Sequence, residues 1–406
     1  MQPEILNFDA TELVARFRRR ELSPVEAISA VLERAEATQT TLNAFVVIGR
    51  DAALASARES EKRWRAGAPL GGLDGVPVSI KDNVYAQGWP TRFGSLAIAE
   101  SDTRGPDSPS VARLREAGAV VFGKTTLPDY AHKIVTDSPL TGITRNPWNP
   151  DHSPGGSSGG AAAAVASGVA PLAVGTDGGG SIRVPAAWSG IYGLKPSFGR
   201  VPHHPRGAYP TVSHIGPMTR SVRDAALMLN AMARPDPHDW YALPYDGADY
   251  AADLERGVEG LRVAVSDNLG MDIDVEPEIA AAVRIAFKTL ESLGVRIEAD
   301  HPTEIPACAD VHRVHWCSFS ARLGRKLGER TSRLDPSMQA LVRIGEALPA
   351  QAFVDAVVAR GELGSRINTF FERYDLLVAP VIDISAPEIA VSAPFYAPMQ
   401  LSAGMG

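Results

Sequence analysis

The order of apolar runs and helical patterns along this chain predicts an α/β fold, layered around a largely parallel sheet. Three observations carry that expectation. From Val76 onward, short apolar runs alternate with segments of helical period. The chain has 406 residues, 45% of them hydrophobic and 21% charged, which is ordinary globular composition with length for a large core. Between two of the apolar runs lies a stretch so rich in glycine and serine that backbone there must approach something closely.

The N-terminal region reads as helices. Ser23 can cap, Pro24 suits the first helical position and Glu26 can close a capping box. Val25, Ile28, Val31 and Leu32 then recur at helical spacing. A second helix is expected over Ala52 to Trp64, ended near Gly67. The expected strands are Val76 to Ile80, Ala119 to Phe122, Leu172 to Val174, Leu261 to Val265 and Leu376 to Val378. The expected helices between them are Ser108 to Ala117, Ser221 to Ala233, Glu276 to Leu293 and Pro349 to Arg373. Pro202 to Pro210 is a turn-rich loop, and Asp236 to Gly257 reads as a surface linker. The chain is therefore expected to be one domain, 1–406. Its parts are N-terminal helices (9–66), a catalytic core (67–235), a more helical second half (258–380) and a C-terminal segment (381–406).

Composition narrows the function classes. The net charge is −7 and no long block of Lys or Arg occurs, which disfavours a stand-alone nucleic-acid binder. Two cysteines, Cys308 and Cys317, do not make a disulfide framework, and a reducing cytoplasm is expected. The first nine residues lack the basic and apolar regions of a signal peptide, and no run of 18 apolar residues occurs. No membrane partner is expected.

Three patterns imitate familiar sites. Gly118 to Thr125 fits the P-loop expression, but a helix is expected before Gly118 and Ala119 to Phe122 is itself a strand, the reverse of what a P-loop needs. Gly156-Ser157-Ser158-Gly159-Gly160 fits a nucleophile elbow on Ser158, but Pro147, Pro150 and Pro154 bar a central strand before it. Cys308, His312 and His315 share a helical face with Cys317 nearby, yet no carboxylate or fourth ligand stands at a familiar spacing, so no metal is expected.

Lys81, Ser157 and Ser181 differ because their chemistry closes. A serine hydroxyl is a weak nucleophile until a base takes its proton. No histidine lies within twenty residues of Ser181. A neutral lysine can serve instead; lowering its pKa from about 10.4 toward 7 costs roughly 4–5 kcal/mol, which burial can impose. Lys81 follows an apolar strand, at the sheet edge where ligand crevices form. Ser157 can sit between Lys81 and Ser181 and pass the proton along.

These residues also carry a resemblance. Gly155 to Gly168, continuing through Leu172 to Ala186, resembles the amidase signature hydrolases. Gly190 to Ser197, Gly72 to Asp82 and Ala117 to Thr125 agree with it, and similarity runs from about residue 8 to about residue 380. The resemblance implies an α/β/α layered fold with a central mixed, mostly parallel sheet. It implies an amide hydrolase that cleaves a carboxamide C–N bond through an acyl-serine intermediate and releases ammonia or an amine. By position, Ser181 would be the nucleophile, Ser157 the bridging serine and Lys81 the base. Backbone N–H groups of Gly178, Gly179, Gly180 and Ser181 would form the oxyanion hole. Ser158, Asp177 and Arg183 would support the site, and the Gly156–Ser157 peptide would be cis. No cofactor is implied. The implied partner is a small-molecule amide, and homo-oligomerisation is left open. A second reading within the family is the glutaminase-type component of a tRNA-dependent amidotransferase; a non-catalytic scaffold is the reading from another class. Family members continue past a segment like Phe395 to Gly406 into more strand and a Gly-Pro-rich turn, so 381–406 is expected to be truncated or divergent.

Overall fold

A computed structural model describes residues 3–389. The chain divides into two compact units, residues 1–252 with 332–335, and residues 253–331 with 336–406. The division falls inside the segment 236–257. The last part of the C-terminal expectation, 390–406, lies outside the described residues.

The first unit opens with helices α1 (Ala10–Arg19) and α2 (Pro24–Leu42), strand β1 (Phe45–Ile48) and helix α3 (Arg50–Ala66). The expected capping box is present: Glu26 N–H donates to Ser23 Oγ, and Ser23 N–H donates to the Glu26 carboxylate. Strand β2 (Pro77–Lys81) and β3 (Val120–Thr125) flank helix α4 (Pro109–Glu116), and a short hairpin pairs β4 (Asp137–Ser138) with β5 (Gly142–Ile143). Helix α5 (Gly159–Ala166), strand β6 (Leu172–Asp177), helix α6 (Arg183–Ser189), strands β7 (Tyr192–Gly193) and β8 (His214–Thr219) and helix α7 (Val222–Met232) complete the unit.

The six-stranded sheet runs β1-β3-β2-β6-β8-β7. Its centre, β3-β2-β6, is parallel; β1, β8 and β7 join antiparallel. The sheet is thus mixed, with more antiparallel pairing at its flanks than the expected mostly parallel arrangement. Two of its three antiparallel pairings are made by His214–Thr219, which carries Gly216 and Pro217 and so lacks the apolar run that marks a strand. Successive residues feed opposite layers, as a period of two requires. Leu172, Val174, Val78 and Ile80 pack with Leu114, Met228 and Met232. Val120 and Phe122 pack with Ile28, Leu32, Ala57 and Ala163 on the other side. This makes an α/β/α sandwich. Helix α5 is apolar all round and buried from Gly159 to Val165. Gly160 permits its depth, since a Cβ there would fall 2.4 Å from Thr126 N.

The second unit holds β9 (Arg262–Val265), helix α8 (Pro277–Ser292), β10 (Arg296–Ala299), helices α9 (Ile305–Leu327), α10 (Pro336–Ala347) and α11 (Ala350–Phe370), and β11 (Leu376–Val378). Its three strands are parallel, in the order β10-β9-β11.

Candidate active site

Strand β2 ends in Lys81 at the carboxyl edge of the sheet, between β3 and β6. Alternation turns Lys81 away from Val78 and Ile80, toward the layer in which α5 begins. The side chain is fully buried. Its Nζ lies 2.7 Å from Ser157 Oγ, 2.8 Å from Ser158 Oγ, 2.8 Å from Thr176 Oγ1 and 3.3 Å from the Thr176 carbonyl. Among the described residues no carboxylate touches it. Burial drives the Lys81 ammonium well below its ordinary pKa, with only the more distant charge of Asp177 opposing.

The two serines enter from the loop before α5. Prolines and glycines keep this segment out of the sheet, and the Gly156–Ser157 peptide is cis, as the resemblance implies. Gly156 lies flat against the chain at Ile134 and Val135; a Cβ would fall 2.8 Å from the Val135 carbonyl. Thr136 Oγ1 donates to the Gly155 carbonyl at 2.8 Å and accepts Gly159 N–H at 3.2 Å, so the segment is held on both sides. Ser158 is the residue before α5, but its hydroxyl makes no cap bond. It donates instead to the Thr176 carbonyl (3.1 Å) and accepts Thr176 N–H (3.2 Å).

Ser181 lies between β6 and α6, in a loop wrapped around the Asp177 carboxylate. That carboxylate accepts N–H groups of Gly180 (2.7 Å), Ile182 (3.0 Å) and Arg183 (3.4 Å), and both Nε and Nη2 of Arg183 (3.0 and 2.9 Å). Burial would raise the Asp177 pKa, but the Arg183 charge and these donors outweigh it and hold the group below the usual carboxylate range. Ser158 N–H donates to the Ser181 carbonyl at 3.1 Å, which ties the two serine loops together. The Ser181 hydroxyl has no hydrogen-bond partner among the described residues. The expected continuous chain of three side chains is therefore formed from Lys81 to Ser157, while Ser181 joins the cluster through backbone. A lysine without a proton here could take one from a hydroxyl at 2.7 Å.

The Amidase family model matches residues 26–403. The chain belongs to the amidase family. It is 37% identical to an acylamidase of Rhodococcus erythropolis over 376 residues, covering 92% of this chain and 78% of the relative. It is 35% identical to the A component of a glutamyl-tRNA(Gln) amidotransferase of Chloroflexus aurantiacus over 403 residues, covering 93% and 82% of the two chains. Among solved structures it is similar to a bacterial aryl acylamidase, with a TM-score of 0.86 at 32% identity over 94% of this chain and 81% of that one. The reaction class is hydrolysis of an amide C–N bond.

The imitations resolve within this enzyme. Lys124, of the P-loop-like run, lies on β3, fully buried, 3.3 Å from Asp82. Its Nζ donates to the Val84 carbonyl at 2.9 Å and Thr91 Oγ1 at 2.8 Å. Ser158 stands after no strand. On α9, His315 Nδ1 meets the Val311 carbonyl at 2.9 Å and His312 stacks on Trp316; among the described residues no group of three or more His, Cys, Asp or Glu is placed to hold a metal.

Two site residues were not singled out from the sequence: Thr176, inside the stretch Leu172 to Ala186, and Asn83, just beyond Gly72 to Asp82. Thr176 contacts Lys81 with its hydroxyl and carbonyl, and Asn83 Nδ2 donates to Thr176 Oγ1 at 3.0 Å. The signal was present: Thr176 and Asn83 are polar residues at the ends of the two neighbouring apolar strands that carry Asp177 and Lys81.

Proposed function

We propose that this enzyme cleaves small-molecule amides by acyl transfer to Ser181, with neutral Lys81 as base and Ser157 as the relay between them. One observation carries the proposal: Lys81 is fully buried, touches no carboxylate among the described residues and lies 2.7 Å from the Ser157 hydroxyl. A neutral amine has two N–H donors and one lone pair. The Ser158 hydroxyl is directed at the Thr176 carbonyl, so Ser158 Oγ can only accept from Lys81. The lone pair is then left for Ser157 O–H. Ser157 passes its proton to Lys81 and takes one from Ser181, whose oxygen attacks the carbonyl carbon. The same path returns the proton to the departing amine. Water, deprotonated along that path, then hydrolyses the acyl-Ser181 ester.

The developing oxyanion needs N–H groups not already committed. Gly179 and Ser181 have such groups among the described residues, and Gly178 lies beside them on the same loop. The proposed set leaves out Gly180, expected among the donors, because its N–H is donated to Asp177 at 2.7 Å. One oxyanion donor is worth about 2.7–4 kcal/mol in such a step. Ser158, Asp177 and Arg183 hold the loops and do not react.

The test is a fluorophosphonate probe combined with a screen of aliphatic, aromatic and amino-acid amides. Labelling at Ser181, lost together with turnover in Ser181→Ala, is the expected result. A folded Ser181→Ala protein with wild-type-like turnover would sink the proposal, and no labelling at all would favour a scaffold. The 35% identity to the A component of an amidotransferase supports a second reading, in which the chain is the glutaminase-type member of such a complex. Co-purification with two further proteins would favour it. A cytoplasmic location belongs to the same proposal and rests on two unpaired cysteines, Cys308 and Cys317, which suit a reducing compartment.

A further inference from the structure

His214 stands at the start of β8, directly opposite Asp177 in the antiparallel pairing with β6. It is therefore level with the point where the Ser181 loop leaves the sheet. Its Nδ1 lies 3.0 Å from the Asp177 carbonyl oxygen. A carbonyl only accepts, which assigns the ring proton to Nδ1. Nε2 is then a lone pair, and 3.3 Å from it lies Lys195 Nζ, a donor. The two partners define one neutral tautomer from opposite sides. A second proton on the ring would face the Lys195 ammonium inside a buried site. Burial first, and Lys195 second, accordingly hold the imidazole down at about 4.

The ring is also fixed in orientation. Phe198 meets it edge to face at 5.4 Å, and Arg206 lies over Phe198 at 4.8 Å. Arg206 is anchored in turn by Asp239, with Nη2 at 2.9 Å from both carboxylate oxygens. The Asp177 carbonyl belongs to the peptide that begins the loop 178–181. The carboxylate of the same residue gathers Gly180, Ile182 and Arg183 at the far end. The loop is thus pinned at its end by the Asp177 side chain and at its beginning by His214.

We propose that His214, oriented by Lys195, is a positioning residue that sets the first peptide plane of the loop carrying the oxyanion donors. This rests on the reading of Ser181 and its loop given above. His214 touches no reacting atom, so its effect should fall on the transition state and not on substrate binding. A misplacement of an ångström or less is enough to cost up to about a hundredfold in such a step.

The experiment compares wild type, His214→Phe, His214→Asn and Lys195→Met. Each is checked for folding by thermal melting, then assayed for amide turnover and for the rate of fluorophosphonate labelling. The expected result for His214→Phe is a loss of about 10- to 100-fold in kcat with KM within about threefold, and labelling slowed in parallel. His214→Asn keeps an N–H near the Nδ1 position and should recover to within about fivefold of wild type. Lys195→Met should fall between wild type and His214→Phe. If His214→Phe keeps wild-type kcat, if the loss lies in KM alone, or if Asn rescues no better than Phe, the role of His214 is overturned. Labelling of wild type at a residue other than Ser181 overturns the underlying reading as well. Labelling at Ser181 with unchanged His214→Phe kinetics overturns the His214 role alone.

Discussion

Lys81 and Lys124 stand on adjacent parallel strands, and both are fully buried. Both have a threonine hydroxyl at 2.8 Å, Thr176 for Lys81 and Thr91 for Lys124. They differ in whether an acid is among their partners. Lys124 has the Asp82 carboxylate at 3.3 Å, whereas Lys81 has two serine hydroxyls and, among the described residues, no acid in contact. The acid whose charge reaches Lys81, Asp177, is bound on both oxygens by Arg183 and backbone N–H groups. Burial lowers both lysines, but the charge and hydrogen bond of Asp82 oppose the shift at Lys124, while Lys81 falls well below its ordinary value. Asp82 shows the same balance from its side, raised by burial and held back by Lys124. On the proposed reading, the same residue type in the same kind of strand is a structural cation in one place and an available base in the other. The counter-ion decides which.

The largest test of this contrast is Lys81→Met. Turnover should drop by about a thousandfold or more, within the range for loss of a general base. Stability should move the other way. The folded pKa of Lys81 is depressed, so the unfolded chain binds more protons between that pKa and about 10.5, and wild-type stability rises with pH across that window. Below the window the cost of burying the lysine is present in full. Lys81→Met removes it, so the variant should melt higher than wild type near neutral pH, and the gap should close as pH approaches 10. Thermal melts from pH 6 to 10 read this directly. A variant that melts lower at every pH means that Lys81 is a paired cation after all.

Lys124→Met should behave in the opposite manner. It strands the Asp82 carboxylate in the core, and breaking one half of a buried pair costs about 3–5 kcal/mol. Urea unfolding should show that loss, while kcat per folded molecule stays within about threefold of wild type. A Lys124→Met enzyme that is stable but inactive would move Lys124 into the chemistry and dissolve the contrast.

The contrast was only half legible in the sequence. Lys81 stands out because it ends an apolar run upstream of the glycine- and serine-rich stretch, and because its flanks match a family. Lys124 reads as the sequel to a strand, from the run Ala119 to Phe122, and the structure extends that strand through it as Val120–Thr125. What no local pattern reveals is the partner. Asp82 follows Lys81 in sequence, yet its carboxylate serves Lys124, and that choice is made by the turn after β2, where Arg92 N–H holds the other oxygen at 3.0 Å. The helices were legible where a cap or a period marks them, as at Ser23 and Ser221. Strand β8 was not, because Gly216 and Pro217 interrupt its pattern. With β8 went His214, whose place opposite Asp177 depends on antiparallel pairing between strands separated by α6, the short strand β7 and a long loop. Thr176 lies inside the signature stretch at the end of an apolar run, but its contact with Lys81 depends on the pairing of β2 with β6, which no local pattern reveals.

The smallest effects come from the two threonines, and they separate the lysines most finely. Thr91→Val removes a hydroxyl that accepts from Lys124, whose ammonium keeps the Val84 carbonyl and Asp82. The expected loss is about 1 kcal/mol of stability, with the pH–rate profile unmoved. Thr176→Val removes an acceptor for a Lys81 N–H and leaves Asn83 Nδ2 without its partner hydroxyl. An ammonium depends on that acceptor more than a neutral amine does, so the loss should lower the Lys81 pKa further. The acid limb of the rate profile should then shift to lower pH. At the same time Lys81 loses one of the contacts that aim its lone pair at Ser157, so the plateau rate should fall by about tenfold. A shifted limb together with a lower plateau is the pattern expected of a base held by hydroxyls. If Thr176→Val lowers the plateau with no shift, Thr176 acts on Ser157 or the loop and not on the protonation of Lys81. If Thr91→Val shifts the limb as well, the two lysines titrate as one system, and the counter-ion does not separate them.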